Sequence, residues 1–204
     1  MKRILLVLLM IGAITPAILA GGKGKGTKKK KAATAKTEAS NEIHWITLDE
    51  LQVKMKEHPK KVYMDVYTDW CGWCKRMEAT TFQNPDLVKY MNDNYYCVRF
   101  NAERKDTIRF VGHMYHFEPS QRANTLAVEL LRGQMGYPTS VIMEENFLNP
   151  QPIAGYQDVP TMEAILKYFA MNIYKSQPWN DYKAGFKPEF RTDLTPQAQP
   201  MAGH

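Results

Sequence analysis

A chain of 204 residues, 44% hydrophobic and 24% charged, has room for one ordinary domain plus extensions. Its formal charge of +6 misleads: nine Lys and Arg against Glu38 give residues 1–40 a net +8, so everything after Ser40 carries −2. The basicity belongs to a leader, which removes the case for a nucleic-acid-binding domain.

The N-terminus reads as a targeting segment. Lys2 and Arg3 precede the apolar run 4–14, then Thr15-Pro16 and a small-residue exit over 17–22, the order of a secretory signal peptide. Residues 1–20 are assigned to it, with cleavage after Ala20 or Gly22 and a periplasmic or secreted destination. No cysteine follows the run, so the usual lipoprotein attachment point is missing. An uncleaved anchor is the competing reading, but 4–19 falls short of the ~20 residues that span a bilayer. Lys23, Lys25, Lys28 to Lys31 and Lys36 weigh against both, because positive flanks tend to stay cytoplasmic. The Gly/Lys-rich stretch 21–42 is expected to be a flexible linker.

Folded sequence is expected from Ile43. IHWI suggests a short strand, and Thr47-Leu48-Asp49-Glu50 has the spacing of a capping box. Leu51 and Met55 lie one helical turn apart, and His58-Pro59 ends that helix. Residues 62–67 are rich in β-formers and predict a central strand, running into WCGWC and then helix over 75–79. Asn84-Pro85 starts a second helix with Leu87, Val88 and Met91 facing inward. Residues 95–101 form the next strand. An irregular insertion, 102–134, carries the cluster Tyr115-His116-Phe117 and a helix over 123–131. Strands follow over 139–143 and 153–156, with a turn between them. A last helix over 162–174 has Ile165, Leu166, Phe169 and Ile173 on one face. Strands alternating with helices, then a hairpin and a helix, imply an α/β fold whose mixed sheet has helices on both faces. The extension 175–204 carries Trp179, Tyr182, Phe186 and Phe190, expected to pack on the domain, and ends in a tail expected to be disordered.

DVYTDWCGWCKRM, residues 65–77, concentrates the chemistry. Cys71 and Cys74 sit where strand gives way to helix, and free N–H groups there favour a thiolate. The second cysteine, one turn on, is placed to attack a mixed disulfide from within. Lys75 and Arg76 add positive charge. Structural zinc needs four ligands; Cys97 is isolated in a strand, and His113 and His116 lie in the insertion. A structural bridge closing so short a loop constrains little of the unfolded chain. Redox exchange is the reading the spacing favours.

The run VYMDVYTDWCGWCKRMEATTFQNPDLVKYMNDNYYCVRFN, with GYPT and Gly155, resembles the thioredoxin family, closest to its exported branch bearing WCGWCK followed by TF-x-N-P. The resemblance spans about 43–174 apart from the insertion. It implies a thioredoxin-like domain with an insertion before a cis-proline and a C-terminal extension. Cys71 is then the exposed attacking cysteine and Cys74 the resolving one. Asp65 is the buried acid assisting proton transfer at Cys74, against the plainer reading of a strand aspartate paired with a nearby base. Pro138 is the cis-proline, and Tyr137, Trp70 and Trp73 shape what binds. Trp73 stands where thioredoxin itself has proline, and Arg99 where many thioredoxins have lysine. Cys97 is expected to be a buried free thiol.

The resemblance implies an exported thiol–disulfide oxidoreductase, a reductase rather than an oxidase. It needs no cofactor or metal. Its partners are protein or peptide disulfides and a thiol electron donor or acceptor, which a membrane protein could supply. The alternative is a catalytically weak peptide-binding module that keeps the fold and uses Trp70, Trp73, Tyr137 and the insertion as its docking surface.

Overall fold

The computed structural model describes residues 42–194. The signal peptide expected at 1–20, the linker at 21–42 apart from Glu42, and the tail beyond 194 lie outside the described residues.

Helix α1 (Leu48–Glu57) opens on the expected capping box: Glu50 N–H donates to Thr47 Oγ1, and Thr47 N–H donates to Glu50 Oε2. The expected strand around Trp45 reduces to a single parallel bridge between Trp45 and Cys97. Strand β1 (Lys61–Tyr67) is buried on both faces and holds the centre of the sheet. It leads through a tight turn into α2 (Gly72–Ala79), and Asn84 then caps α3 (Pro85–Asn94).

Strand β2 (Tyr95–Asn101) lies parallel to β1, and β7 (Thr139–Met143) lies antiparallel on its other side. Strand β8 (Gln151–Ala154) closes the edge, giving the order β2-β1-β7-β8. Because β side chains alternate, Val62, Met64 and Val66 pack on the side of α1, with Phe100 and Val141. Tyr63 packs on the opposite side, with Met77 of α2 and Leu87 of α3, and Asp65 shares that face by period. Each large side chain fully withdrawn from water contributes roughly 1.5–3 kcal/mol.

The segment 102–134 is more ordered than its sequence suggests. Strands β3 (Ile108–Phe110) and β4 (His113–Tyr115) form one hairpin, and β5 (Phe117–Glu118) and β6 (Ala123–Asn124) form another pair. The helix expected at 123–131 is shorter, α4 (Thr125–Leu130). Asn124 is held as strand and caps it, with Oδ1 accepting from Leu126 N–H.

Two later boundaries also shift. The last strand ends at Ala154, because Gly155 turns to φ +92° and its N–H donates to the Pro138 carbonyl. Helix α5 (Val159–Ala170) starts early, on the Asp158 cap with Pro160 in its first turn, and Asn172 at φ 58° ends it. Ile173 therefore falls in a separate 3-10 turn and leaves the inward face.

Beyond it, α6 (Trp179–Gly185) and the chain to Arg191 are fastened down. Glu163, fully buried on α5, accepts from the backbone N–H groups of Glu189 and Phe190 and pairs with Lys167. Arg191 donates to Asp86 twice from its side chain and once from its backbone N–H.

Candidate active site

The turn after β1 decides where the sulfurs go. Thr68 is buried, its carbonyl accepts from Cys71 N–H, and Cys71 becomes the N-cap of α2. Cys71 Sγ accepts from Cys74 N–H at 3.0 Å, and the two cysteines are joined as a disulfide. The sulfurs thus sit at the positive end of the helix, whose first turn carries no acidic residue.

The expected exposure of Cys71 is not found: it is 4% exposed, within a percentage point of Cys74 at 3%. Its sulfur is turned in by the cap and the bridge. The neighbours take the exposure instead, Trp70 at 67% and Trp73 at 48%.

Each of these tryptophans has an aromatic partner from a distant loop. Trp70 meets Tyr137 edge-on, with ring centres 6.0 Å apart, and Trp73 meets Tyr156 at 5.5 Å. Pairs of this kind contribute about 0.5–1.5 kcal/mol beyond area burial. Trp70 Nε1 also donates to Glu103 Oε2 at 3.0 Å.

The Tyr137–Pro138 peptide bond is cis. Since Val66 opposes Thr139 in the β1–β7 ladder, the same register brings Pro138 level with Tyr67, the strand end from which the cysteine turn departs. Arg76 adds a cation over the second aromatic pair, 5.4 Å from the Trp73 ring centre and 5.8 Å from that of Tyr156.

Asp65 lies inside the sheet, 1% exposed, opposite Arg99 on β2 and Ser140 on β7. Arg99 Nε is 3.3 Å from its Oδ2, while Arg99 Nη1 donates to Glu78 of α2 at 2.7 Å. Asp65 Oδ1 has no hydrogen-bond partner among the described residues. Burial dominates over the nearby guanidinium and pushes the carboxyl up from 3.8 to about 6. Asp65 is thus buried and paired with Arg99 at once.

Cys97 is free and buried, and desolvation pushes its thiol up to about 12. Among the described residues no group of three or more His, Cys, Asp or Glu could hold a metal ion, and no helix is long and apolar enough to cross a membrane.

Cys71 and Cys74 are thus joined, Trp70 beside them meets Tyr137, which precedes Pro138, and Asp65 sits on β1, the strand that feeds the cysteine turn. Sequence reasoning did not find Tyr156 or Glu103. Tyr156 follows a glycine at the end of β8, and only the strand register carries it to Trp73; nothing local marks it.

A family profile for the thioredoxin-like DsbH proteins, described as a protein of unknown function, DUF255, matches residues 27–177. The chain belongs to this family. Among curated relatives, the DsbH-family chain is 28% identical over 104 residues to mouse spermatogenesis-associated protein 20, covering 44% of this chain and 13% of that one. It is 27% identical over 124 residues to the thiol:disulfide interchange protein DsbD of Escherichia coli O6:H1, covering 59% and 19%. The chain spans less than a fifth of the length of either relative. A solved structure described as DsbH oxidoreductase aligns with TM-score 0.47 and 15% identity, over 74% of this chain and 96% of that one.

Proposed function

We propose that this DsbH-family protein is an exported thiol–disulfide oxidoreductase that reduces protein or peptide disulfides through Cys71 and Cys74. The observation that carries the reading is the Cys71–Cys74 bond at the start of α2, bordered by Trp70, Trp73 and Tyr137 and followed in space by Pro138. In the reduced protein the Cys71 thiolate attacks one sulfur of the substrate. A Cys71–substrate bond forms, the substrate bond breaks, and the departing sulfur takes up a proton. Cys74 then loses its proton, with Asp65 the acceptor, and attacks Cys71 Sγ. The second substrate thiolate leaves and is protonated. Two electrons have passed to the substrate, and a thiol donor must return the pair to the dithiol form.

Export rests on the leader, with Lys2-Arg3, its apolar run and the small residues to Gly22. The donor is then a thiol protein of that compartment, and a membrane protein can fill the role.

The test is turnover of a protein disulfide with dithiothreitol as donor. Cys71→Ser should abolish it, and Cys74→Ser, reduced and then freed of dithiothreitol before substrate is added, should accumulate a mixed disulfide visible by intact mass. Full activity in Cys71→Ser would overturn the assignment. The exposure of Trp70 and Trp73 favours a second reading, a peptide-binding module. Unchanged partner binding by Cys71→Ser/Cys74→Ser, without reductase activity in the parent, selects that reading.

A further inference from the structure

Three described arginines are half-buried: Arg76, Arg99 and Arg104. Arg99 holds Asp65 and Glu78, and Arg104 holds Asp106. Arg76 holds no carboxylate among the described residues, and its Nε is buried without a hydrogen-bond partner. The guanidinium lies over the Trp73 and Tyr156 rings, and the two cation–π contacts restrain it. An arginine so restrained offers a planar fork that matches a carboxylate with two parallel hydrogen bonds. Partial burial strengthens that attraction over its value in open water.

The position ties this cation to the sulfurs. Trp73 lies between the two cysteines in sequence, and Arg76 lies three residues beyond Trp73 on the same face of α2. Two carboxylates of this neighbourhood are already occupied, Glu78 by Arg99 and Glu103 by the Trp70 indole. No described carboxylate pairs with Arg76, which leaves its guanidinium open to an anion from outside the chain.

We propose that Arg76 is a substrate-selecting residue, which receives the carboxylate of an aspartate or glutamate next to the reacting cysteine of an incoming polypeptide. The aliphatic part of that acidic residue packs against Trp73 and Tyr156, and its neighbouring disulfide is delivered to Cys71. The inference deepens the oxidoreductase reading and rests on it for the delivery to sulfur; the anion contact is a statement about binding.

The experiment uses two disulfide peptides that differ only in carrying Glu or Gln beside the cysteine. Binding is measured by calorimetry on the full chain with Cys71→Ser/Cys74→Ser, with and without Arg76→Gln. The Glu peptide should bind about tenfold tighter than the Gln peptide, with the gap narrowing as salt rises and closing in Arg76→Gln. Arg76→Lys, which keeps the charge and loses the fork, should retain part of the gap. Equal binding of both peptides, no binding of either, or a Glu preference that survives Arg76→Gln overturns the proposal.

A second arm uses the intact, reduced protein, where the same preference should appear in kcat/KM for peptide reduction. A Glu preference in binding with exchange of neither peptide would sink the oxidoreductase reading and leave the anion site standing.

Discussion

Asp65 and Arg99 face each other across the parallel β1–β2 ladder, with Nε 3.3 Å from Oδ2, yet the carboxyl is held near 6 and not below its ordinary value. The guanidinium divides its attention: its short bond goes to Glu78, whose own charge works against ionising Asp65. A buried acid that still exchanges a proton near neutral pH suits the resolving step proposed for Cys74.

Asp65 therefore gives stability a definite pH slope. Between 3.8 and about 6 the folded protein keeps a proton that the unfolded chain has released, so this group lowers stability as pH rises through that window. The full loss is of order 3 kcal/mol. Urea unfolding of the wild type and Asp65→Asn at pH 4 and pH 7 isolates it, since the other carboxylates cancel in the difference. The variant should gain on the wild type by about 2–3 kcal/mol over that interval. Parallel profiles would contradict the raised value. In turnover, Asp65→Asn should slow the release of substrate from Cys71 by about 100-fold and remove the rise in rate near pH 6.

Cys97 is a thiol without chemistry in the folded state. Burial keeps it protonated at pH 8, so iodoacetamide should not label the oxidised protein until it is unfolded. Peptide mapping reads the outcome, and modification of Cys97 in the native protein would show that β2 opens more readily than its burial implies.

The aromatic arm should act on substrate and not on the fold. Trp70 is largely exposed, so Trp70→Ala should change unfolding free energy by less than about 1 kcal/mol. It removes the edge-on contact with Tyr137 and the bond to Glu103, and KM for a peptide disulfide should rise about 3- to 10-fold. A Trp70→Ala protein with unchanged KM and lowered stability would place the indole in the scaffold.

Glu163 is where the C-terminal extension is tied to the domain. Glu163→Ala leaves the Glu189 and Phe190 N–H groups without their acceptor and Lys167 with Glu189 as its remaining partner. Stability should fall by about 2–4 kcal/mol, and amide exchange at 189–190 should accelerate before exchange in β1 does. Removal of the Arg191 contact with Asp86, which is exposed to water, should change stability far less.

The sheet was legible because its signals are local. Residues 95–101 and 139–143 match β2 and β7 at both ends, and the Thr47 and Asn84 caps sit where their spacing places them. The segment 102–134 was not, because distant partners impose its order. Gln52 of α1 holds the β3–β4 hairpin through Arg109 O and Val111 N, and Asn124 N–H reaches Ala102 O. The cysteine pair, Asp65 and the residues around Pro138 were legible from the motif and the family resemblance. The burial of Cys71 was not, since it depends on the cap the sulfur makes with Cys74 N–H. Arg76 showed only as a charge until Tyr156 gave it a second ring.

The most direct test of the central claim is the reduction potential of the Cys71–Cys74 pair, from equilibrium with dithiothreitol buffers followed by thiol alkylation. A reversible two-electron transition near the reducing end of the thioredoxin-like range, about −270 mV, is the predicted result. A midpoint near about −120 mV would reverse the direction to disulfide formation, and a pair that never closes during the titration would contradict the redox assignment itself.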